Sequence, residues 1–295
     1  MSKYSKYTGG QKEALLNMLG GEDKMDALLC GDLTVELKEA VKLLFDKNGR
    51  LIPRNLQSSV CDANKDFYLE HSAVDLPKLI KDWEMVFEQK FPISLDELEN
   101  RSVAILDLIK NDPLLNNCLN GFWAVTLVPK IEVVDYGTIL EKVFLPATER
   151  GYKAVYPDRT FVNYRKGTLA NQVKIVNGTR HEKLIEQLAK DNVVVVHFVN
   201  PTQGFSVNAQ REVMGSMPLE FTLGGPIDRL TVAATYPNIV FRDFNTPGYD
   251  CSAVSWQSAD QSLYLWADDV ALVFGNGGFL GDAYDYCSGG LSVLG

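Results

Sequence analysis

The sequence predicts an α+β protein, and three patterns along the chain lead to that class. Apolar residues recur at helical spacing in the N-terminal part. From about residue 119, short β-rich runs alternate with helical segments, and after residue 250 short apolar runs are separated by polar turns. We therefore expect a mostly helical region over 1–118, a mixed α+β region over 119–200 and a β-rich domain over 201–295.

The N-terminal region carries several helix signals. In GQKEALLNMLGGEDKMDALL the leucines and methionines recur at helical spacing, and Gly20-Gly21 interrupts the pattern. TVELKEAVKLLFDKNG predicts another helix with Thr34 as its N-cap. Two further helices are expected in VDLPKLIKDWEMVFEQKF and in SLDELENRSVAILDLIKN, where Ser94 and Glu97 have the spacing of a capping box.

The central region alternates between strands and helices. GFWAVTLVPKIEVVDYG, TLANQVKIVNG and VVVVHFVNP predict strands, whereas GTILEKVFLPATERGY and TRHEKLIEQLAKDN predict helices. The four valines Val193–Val196 indicate a strand buried on both faces. His197 ends this run, so we expect it to be buried and hydrogen-bonded. His181 stands at the start of a helix and is expected to face solvent.

From about Gly204 the chain is rich in turns. Only SVNAQREVMGSM has a clear helical pattern, whereas SAVSWQS, SLYLWA, ALVFG and GLSVLG predict short strands, the last of them paired. Within SLYLWA, Leu263 and Leu265 should lie in the core and Tyr264 and Trp266 on the opposite, partly exposed face, because side chains alternate along a strand. The glycine-rich GNGG run lacks the spacing of a phosphate-binding loop and predicts a β-turn.

Composition and charge restrict the class of partner and the location. The net charge is −9 and the basic residues are scattered, so we expect neither nucleic acid nor an anionic membrane as a partner. Five cysteines without a C-x-x-C pair indicate free thiols, with a Cys251–Cys287 bond as the alternative. Without a secretory signal or an apolar stretch of about 18 residues, a cytoplasmic protein is expected. The oligomeric state stays open.

Catalytic and metal sites have no clear signature in this sequence. Three histidines are present and no G-x-S-x-G motif occurs, so we expect no cofactor and no catalytic residues. The densest acidic cluster, Asp268-Asp269 with Asp282 and Asp285, is interpreted as a solvated rim, with calcium ligation as the alternative. A hydrolase-like enzyme with His197 and carboxylates in a cleft between regions, or a structural subunit of an assembly, are the competing hypotheses for function.

The order of features after residue 250 adds a family resemblance. A W-x-S strand at 256–258 is followed by the aromatic strand Leu263–Trp266, an irregular polar and aromatic loop, and the closing strand Gly289–Leu294. This order resembles the end of a C-type-lectin-like fold, in the form shared by formylglycine-generating-enzyme-like proteins and the variable proteins of diversity-generating retroelements. The closing strand has Gly-Leu where that family usually has arginine. The whole chain also resembles proteins of uncultured small-genome bacteria, which implies no activity.

The resemblance implies a ligand surface built from the residues between the W-x-S strand and the closing strand, which bracket it in the chain. The implied ligand-binding residues are Tyr264, Trp266, Asp268, Asp269, Asn276, Phe279, Asp282, Tyr284, Asp285 and Tyr286. Tyrosine and tryptophan offer a large contact area at low entropic cost, and aspartate and asparagine add adaptable polar contacts. We therefore expect a non-enzymatic protein that recognises a protein or a glycan. The spacing of Cys251 and Cys287 does not match the cysteine pair that formylglycine-generating relatives use for copper-dependent oxidation, so that activity is not expected.

Overall fold

The chain forms two compact units, Met1–Lys42 and Leu43–Gly295. The computed structural model describes residues 6–35, 42–69 and 74–295. Helices and strands are both present in quantity, which confirms the mixed α+β class. The expected boundaries near 118 and 200 fall inside the second unit, because strands from both sides of residue 200 pair in the same sheets. In the described part of the chain, no helix has the length and apolar character needed to cross a membrane.

The first unit contains two short helices, α1 (Gly9–Met18) and α2 (Glu22–Cys30). Thr8 begins α1 with a capping box: its hydroxyl accepts a hydrogen bond from the Gln11 N–H, and the Gln11 side chain accepts one from the Thr8 N–H. The predicted break at Gly20-Gly21 is confirmed, since both glycines have φ near +90°, a region that favours glycine. Neither helix has a buried residue.

Residues 36–41 of the helix predicted from Thr34 lie outside the described part of the chain. The described residues on either side of them, 34–35 and 42–49, are not helical. Phe45 instead pairs with Leu51 across a tight turn. Asp46 stabilises this turn, because its carboxylate accepts hydrogen bonds from two backbone N–H groups at 2.8 and 3.0 Å. An aspartate that bonds nearby backbone N–H groups competes with the helix, so over 42–49, the later part of the predicted helix, the helical spacing of the apolar residues was misleading.

The second unit contains most of the regular structure. Its helices are α3 (Leu76–Phe87), α4 (Leu95–Asn111), α5 (Tyr136–Ile139), α6 (Leu145–Val155), α7 (Glu182–Leu188), α8 (Val207–Val213), α9 (Pro226–Thr235) and α10 (Pro237–Val240). Short 3-10 segments are Lys65–Phe67, Asn116–Asn120 and Asn200–Thr202, and a π-helical turn is Leu140–Phe144. The strands are β1 (Trp123–Val128), β2 (Thr160–Asn163), β3 (Val173–Ile175), β4 (Val193–Phe198), β5 (Phe221–Leu223), β6 (Gly248–Asp250), β7 (Val254–Trp256), β8 (Ser262–Ala267), β9 (Ala271–Gly277), β10 (Cys287–Ser288) and β11 (Leu291–Leu294).

The described strands form three sheets. The first is antiparallel with the order β1-β4-β11-β5. The second has the order β10-β6-β8-β9-β2, with parallel pairs at both edges and antiparallel pairs between them. β3 and β7 form a third, two-stranded antiparallel sheet. Because β11 lies between β4 and β5, the prediction that the closing run is a paired strand is confirmed.

The first sheet carries the centre of the core. Every residue of β4 is buried, which confirms the expected burial on both faces, and α4 and α9 both pack against this strand. The expectation that only α8 is helical after residue 203 is wrong, since α9 is a helix. All residues of α9 are buried, so it has no solvent-exposed polar face of the kind that marks a surface helix. The signals that begin it are Pro226 in its first turn and the Asp228 carboxylate, which accepts a hydrogen bond from the Gly225 N–H at 2.9 Å.

The contact between α6 and α9 requires a glycine. A Cβ added at Gly151 would lie 2.0 Å from the main-chain oxygen of Ala234. We expect Gly151→Ala to lower the free energy of unfolding by about 1–3 kcal/mol, because the two helices must move apart. Urea unfolding measures this loss, with Gly10→Ala in α1 as the matched control, since its Cβ would meet no atom within 4 Å. Equal unfolding midpoints for Gly151→Ala and the native protein would contradict the close contact.

Candidate functional site

An apolar pocket of about 430 Å³ opens beside the second sheet. β6, β8 and the segment between β9 and β10 provide most of its wall. Its aromatic side chains are Phe67, Phe244, Tyr249, Tyr264, Trp266, Phe279, Tyr284 and Tyr286. Two carboxylates, Asp250 and Asp282, also line it, and the described residues of its wall include no lysine, arginine or histidine. We call it the aromatic pocket.

β8 supplies two of the rings through its alternating side chains. Leu263 and Leu265 are fully buried, Tyr264 is half-buried and Trp266 is 36% exposed, which confirms the predicted alternation. Tyr264 pairs with Gly275 of β9, where an added Cβ would lie 2.8 Å from the tyrosine ring. The β-turn predicted for the GNGG run is therefore wrong over 275–277, which belong to β9 and leave room for the Tyr264 ring.

Four of the rings form a continuous chain along the pocket wall. Phe67 lies between Phe244 and Tyr286, with ring centroids 5.9 and 5.6 Å apart, and Tyr286 packs against Tyr284 at 5.9 Å. These separations are typical of stabilising aromatic pairs. Phe67 is buried and comes from a 3-10 turn far from the others in sequence, so no local pattern marked it or Phe244 as part of a site.

Six of the ten residues implied by the family resemblance line this pocket, and four do not. Asp268 instead accepts hydrogen bonds from two backbone N–H groups at 2.8 and 2.6 Å and so closes the turn between β8 and β9, where Asp269 is exposed. The Asn276 side chain donates to Gln261 at 3.0 Å. The main-chain oxygen of Asp285 accepts hydrogen bonds from the Asn64 N–H and from the Gln203 side-chain amide, both at 3.0 Å. The six that line the pocket are Tyr264, Trp266, Phe279, Asp282, Tyr284 and Tyr286.

The same segment holds neither a cluster of metal ligands nor a disulfide among the described residues. In the described ranges no group of three or more histidine, cysteine, aspartate or glutamate side chains is placed to hold a metal ion. Cys251 is buried and Cys287 half-buried, and both carry free thiols, so the alternative of a bond between them is not what the structure has.

Asp250 is a half-buried carboxylate of the pocket wall, and the sequence did not single it out. One of its carboxylate oxygens accepts a hydrogen bond from the Gln210 amide at 3.0 Å, and the Gln210 carbonyl accepts one from Ser252 at 2.6 Å. Burial raises the pKa of Asp250 to about 6, an effect that the Gln210 hydrogen bond and the positive charge of Arg229 partly oppose. Asp250 can thus exchange a proton near neutral pH, and its chain position just outside the bracketed segment explains why it was missed.

The raised pKa of Asp250 predicts a pH-dependent stability. Because the folded protein holds this proton more tightly than the unfolded chain, the contribution is full below about pH 4 and is lost as the pH rises through about 6. Asp250→Asn removes the titrating group, so its stability relative to the native protein should rise by about 1–3 kcal/mol between about pH 4 and 7. Urea unfolding at both pH values measures this, with the exposed Asp269→Asn as control. A difference between the native protein and Asp250→Asn that does not vary with pH would contradict it.

His197 lies in the core behind the wall of the aromatic pocket, where its ring packs against Tyr249 with the centroids 6.3 Å apart. It is fully buried, and its Nδ1 is 2.7 Å from the hydroxyl of Ser292, which confirms that it is buried and hydrogen-bonded. Ser292 donates to the Asp228 carboxylate at 2.6 Å. Serine, histidine and aspartate thus meet, but the serine bonds the aspartate directly and all three are fully buried, unlike a hydrolase triad in which histidine lies between the other two. Among the described residues, His197 therefore does not open onto a cleft.

His181 is also buried, so the expectation that it faces solvent is wrong. Its Nε2 lies 2.7 Å from the hydroxyl of Tyr136, and its ring packs against Gly225, where an added Cβ would be 2.5 Å away. Burial lowers the pKa of His181, although the negative charge of Asp228 opposes this. His181 directly precedes α7. Because Gly225 has no side chain, the His181 ring can occupy the space beside it.

No family model, no curated protein and no solved structure matches this chain. The C-type-lectin-like resemblance therefore stays a prediction. The fold and the site together define an α+β protein with an aromatic pocket of about 430 Å³ that carries two carboxylates.

Proposed function

We propose that this protein is a non-enzymatic binding protein and that its ligand, a protein or a glycan, is held in the aromatic pocket. One observation carries the proposal: large exposed aromatic side chains converge on a single concave site. They are Phe244, Trp266, Phe279, Tyr284 and Tyr286. Contiguous exposed apolar groups around a cavity are typical of interaction sites, and tyrosine and tryptophan supply much of the binding energy at such sites.

The cost of exposing these rings supports the same conclusion. Phe279 and Phe244 have 77% and 59% of their surface exposed. Apolar surface in water is unfavourable by roughly 25 cal/mol per Å², so covering these rings would stabilise a complex. Packing within the chain does not account for Phe279, because its ring is mostly outside the core.

The polarity of the pocket favours a protein ligand over a glycan. Sugar hydroxyl groups that leave water need hydrogen-bond partners. The wall is mainly apolar, and its polar groups are the tyrosine hydroxyls, the Trp266 indole N–H and the side chains of Asp250, Asp282, Thr246, Ser262 and Cys287. A side chain of a protein ligand with an apolar stem meets the rings without that cost. The net charge of −9 and the carboxylates in the wall argue against nucleic acid.

The family resemblance and the cysteines add further support. The lectin-like interpretation places the ligand contacts in the segment between β7 and β11. Six of the ten residues that it names line the pocket. Free thiols at the buried Cys118 and Cys251 suit the reducing cytoplasm, which we propose as the location.

Parallel screens of a displayed random-peptide library and a glycan array test this function. Tyr286→Ala removes the ring that joins Phe67 to Tyr284, and Tyr164→Ala is the matched control, because Tyr164 is 61% exposed and does not line the pocket. We expect peptide binders that tolerate Tyr164→Ala and lose at least about tenfold in affinity with Tyr286→Ala. Hits on the glycan array alone would assign a glycan ligand. Binders that do not distinguish the two variants, or no binder in either screen, would contradict the proposal.

A further inference from the structure

The charged side chains that line the aromatic pocket are all acidic. Asp250 and Asp282 line it, and the described residues of its wall include no basic side chain. Asp250 approaches from β6 and Asp282 from the segment between β9 and β10, so the two carboxylates come from different parts of the chain. The pocket therefore presents negative charge to whatever enters it.

The faces of the aromatic rings add a negative electrostatic potential. The face of an aromatic ring attracts a cation through its quadrupole, and the attraction grows when water is excluded. Phe67, Tyr286 and Tyr284 pack ring against ring, and Trp266 and Phe279 line the same cavity. Several rings around one cavity can contact a compact organic cation from more than one side, which a single surface ring cannot do.

From these two features we infer that the pocket selects an organic cation, namely the ammonium group of a lysine side chain on a protein ligand, in its unmodified or methylated form. The inference deepens the proposed function and rests on it. The aliphatic stem of lysine suits the apolar wall, and the ammonium group is neutralised by the carboxylate of Asp250. Burial of that carboxylate without an opposite charge is unfavourable, so an incoming cation removes the cost.

The protein's own charges do not fill this role. Arg229 is the cation closest behind Asp250, but it lies in the core over the ring of Tyr249, 4.4 Å from its centroid, and does not line the pocket. Its positive charge favours the ionised form of Asp250 without forming an ion pair among the described residues. The other titratable groups close to Asp250 are the hydroxyls of Tyr264 and Tyr286 and the thiols of Cys251 and Cys287, none of which is a cation.

The test compares matched small probes on the full chain. The probes are the Nα-acetyl methylamides of trimethyllysine, of its neutral isostere with carbon in place of the quaternary nitrogen, of lysine and of norleucine. Chemical-shift titration measures their affinities, because single residues bind weakly. We expect each cation to bind the native protein at least about tenfold more tightly than its neutral counterpart.

Two variants identify the source of the preference. Asp250→Asn should reduce the preference for the cation to about threefold or less, whereas the exposed Asp269→Asn should leave it unchanged. Lowering the pH from about 7.5 to 5 should weaken only the cationic probes on the native protein, since the Asp250 carboxyl then becomes neutral. The comparison of charged and neutral probes on the native protein keeps the test decisive if Asp250→Asn does not fold.

The outcomes separate this inference from the proposed function. Neutral probes that bind as tightly as the cations would overturn the lysine inference and leave an apolar binding pocket. No binding of any probe would also overturn it, while the peptide and glycan screens would still decide the proposed function. Cation binding that persists in Asp250→Asn and at low pH would overturn the role given to Asp250.

Discussion

Replacement of Asp228 by alanine is expected to lower the free energy of unfolding by about 3–5 kcal/mol. The Asp228 carboxylate begins α9 by accepting from the Gly225 N–H at 2.9 Å and accepts from Ser292 at 2.6 Å. It also lies near Arg229, which is fully buried and has no hydrogen-bond partner for its guanidinium nitrogens among the described residues. Alanine would remove the acceptor of the Gly225 N–H, leave the Ser292 hydroxyl with His197 alone, and take a nearby negative charge away from the buried Arg229. Urea unfolding at pH 7 measures the loss.

Two further variants separate the buried network from a general effect of losing an aspartate. Asp228→Asn keeps an acceptor for the Gly225 N–H and should cost less than alanine, and the exposed Asp158→Ala should leave the stability within about 0.5 kcal/mol of the native value. A loss below about 1 kcal/mol for Asp228→Ala would show that the network does not stabilise the core.

Replacement of Trp266 by alanine is expected to weaken ligand binding by about 2–4 kcal/mol while lowering the stability by less than about 1 kcal/mol. Trp266 lines the pocket from the exposed face of β8, so its ring is available to a ligand and contributes less to the core than the leucines beside it. Calorimetric titration with a peptide from the display screen measures the affinity, and thermal melting measures the stability.

Trp256 provides the matched contrast, because it is a tryptophan of a neighbouring strand that is only 4% exposed. Trp256→Ala should cost about 3–5 kcal/mol of stability through loss of core packing. If Trp266→Ala instead loses stability to the same extent and keeps its affinity, the Trp266 ring is a packing element and not a ligand contact.

Helices and strands with one buried face could be predicted from the spacing of their apolar residues. α3 and α4 lie where the apolar spacing placed them, and Ser94 caps α4 by accepting from the Glu97 N–H at 3.1 Å. The alternation in β8 followed from the period of two. α9 was missed because it has only ten residues, is buried on every side and is rich in β-branched isoleucine, valine and threonine, which favour strands.

The site was predictable to the extent that it is local in sequence. Trp266, Phe279 and Tyr286 stand out as large aromatic groups in a turn-rich segment, and the structure brings them together. Phe67 could not be found in this way, because it reaches the pocket through tertiary packing of a segment distant in the chain, and Asp250 lies just before the segment that the family resemblance covers. Asp268 was not separable from Asp282 in this way, since a carboxylate that closes a turn has the same local sequence as one that lines a pocket.

Fluorine NMR of the protein labelled with fluorotryptophan tests most directly whether the aromatic pocket holds the ligand. The chain has four tryptophans, and Trp266→Phe assigns the resonance of the one in the pocket. On addition of a saturating peptide from the display screen, we expect the Trp266 resonance to move and that of the fully buried Trp83 to stay in place. A bound peptide that leaves the Trp266 resonance unchanged while another tryptophan responds would contradict the assignment of this pocket as the binding site.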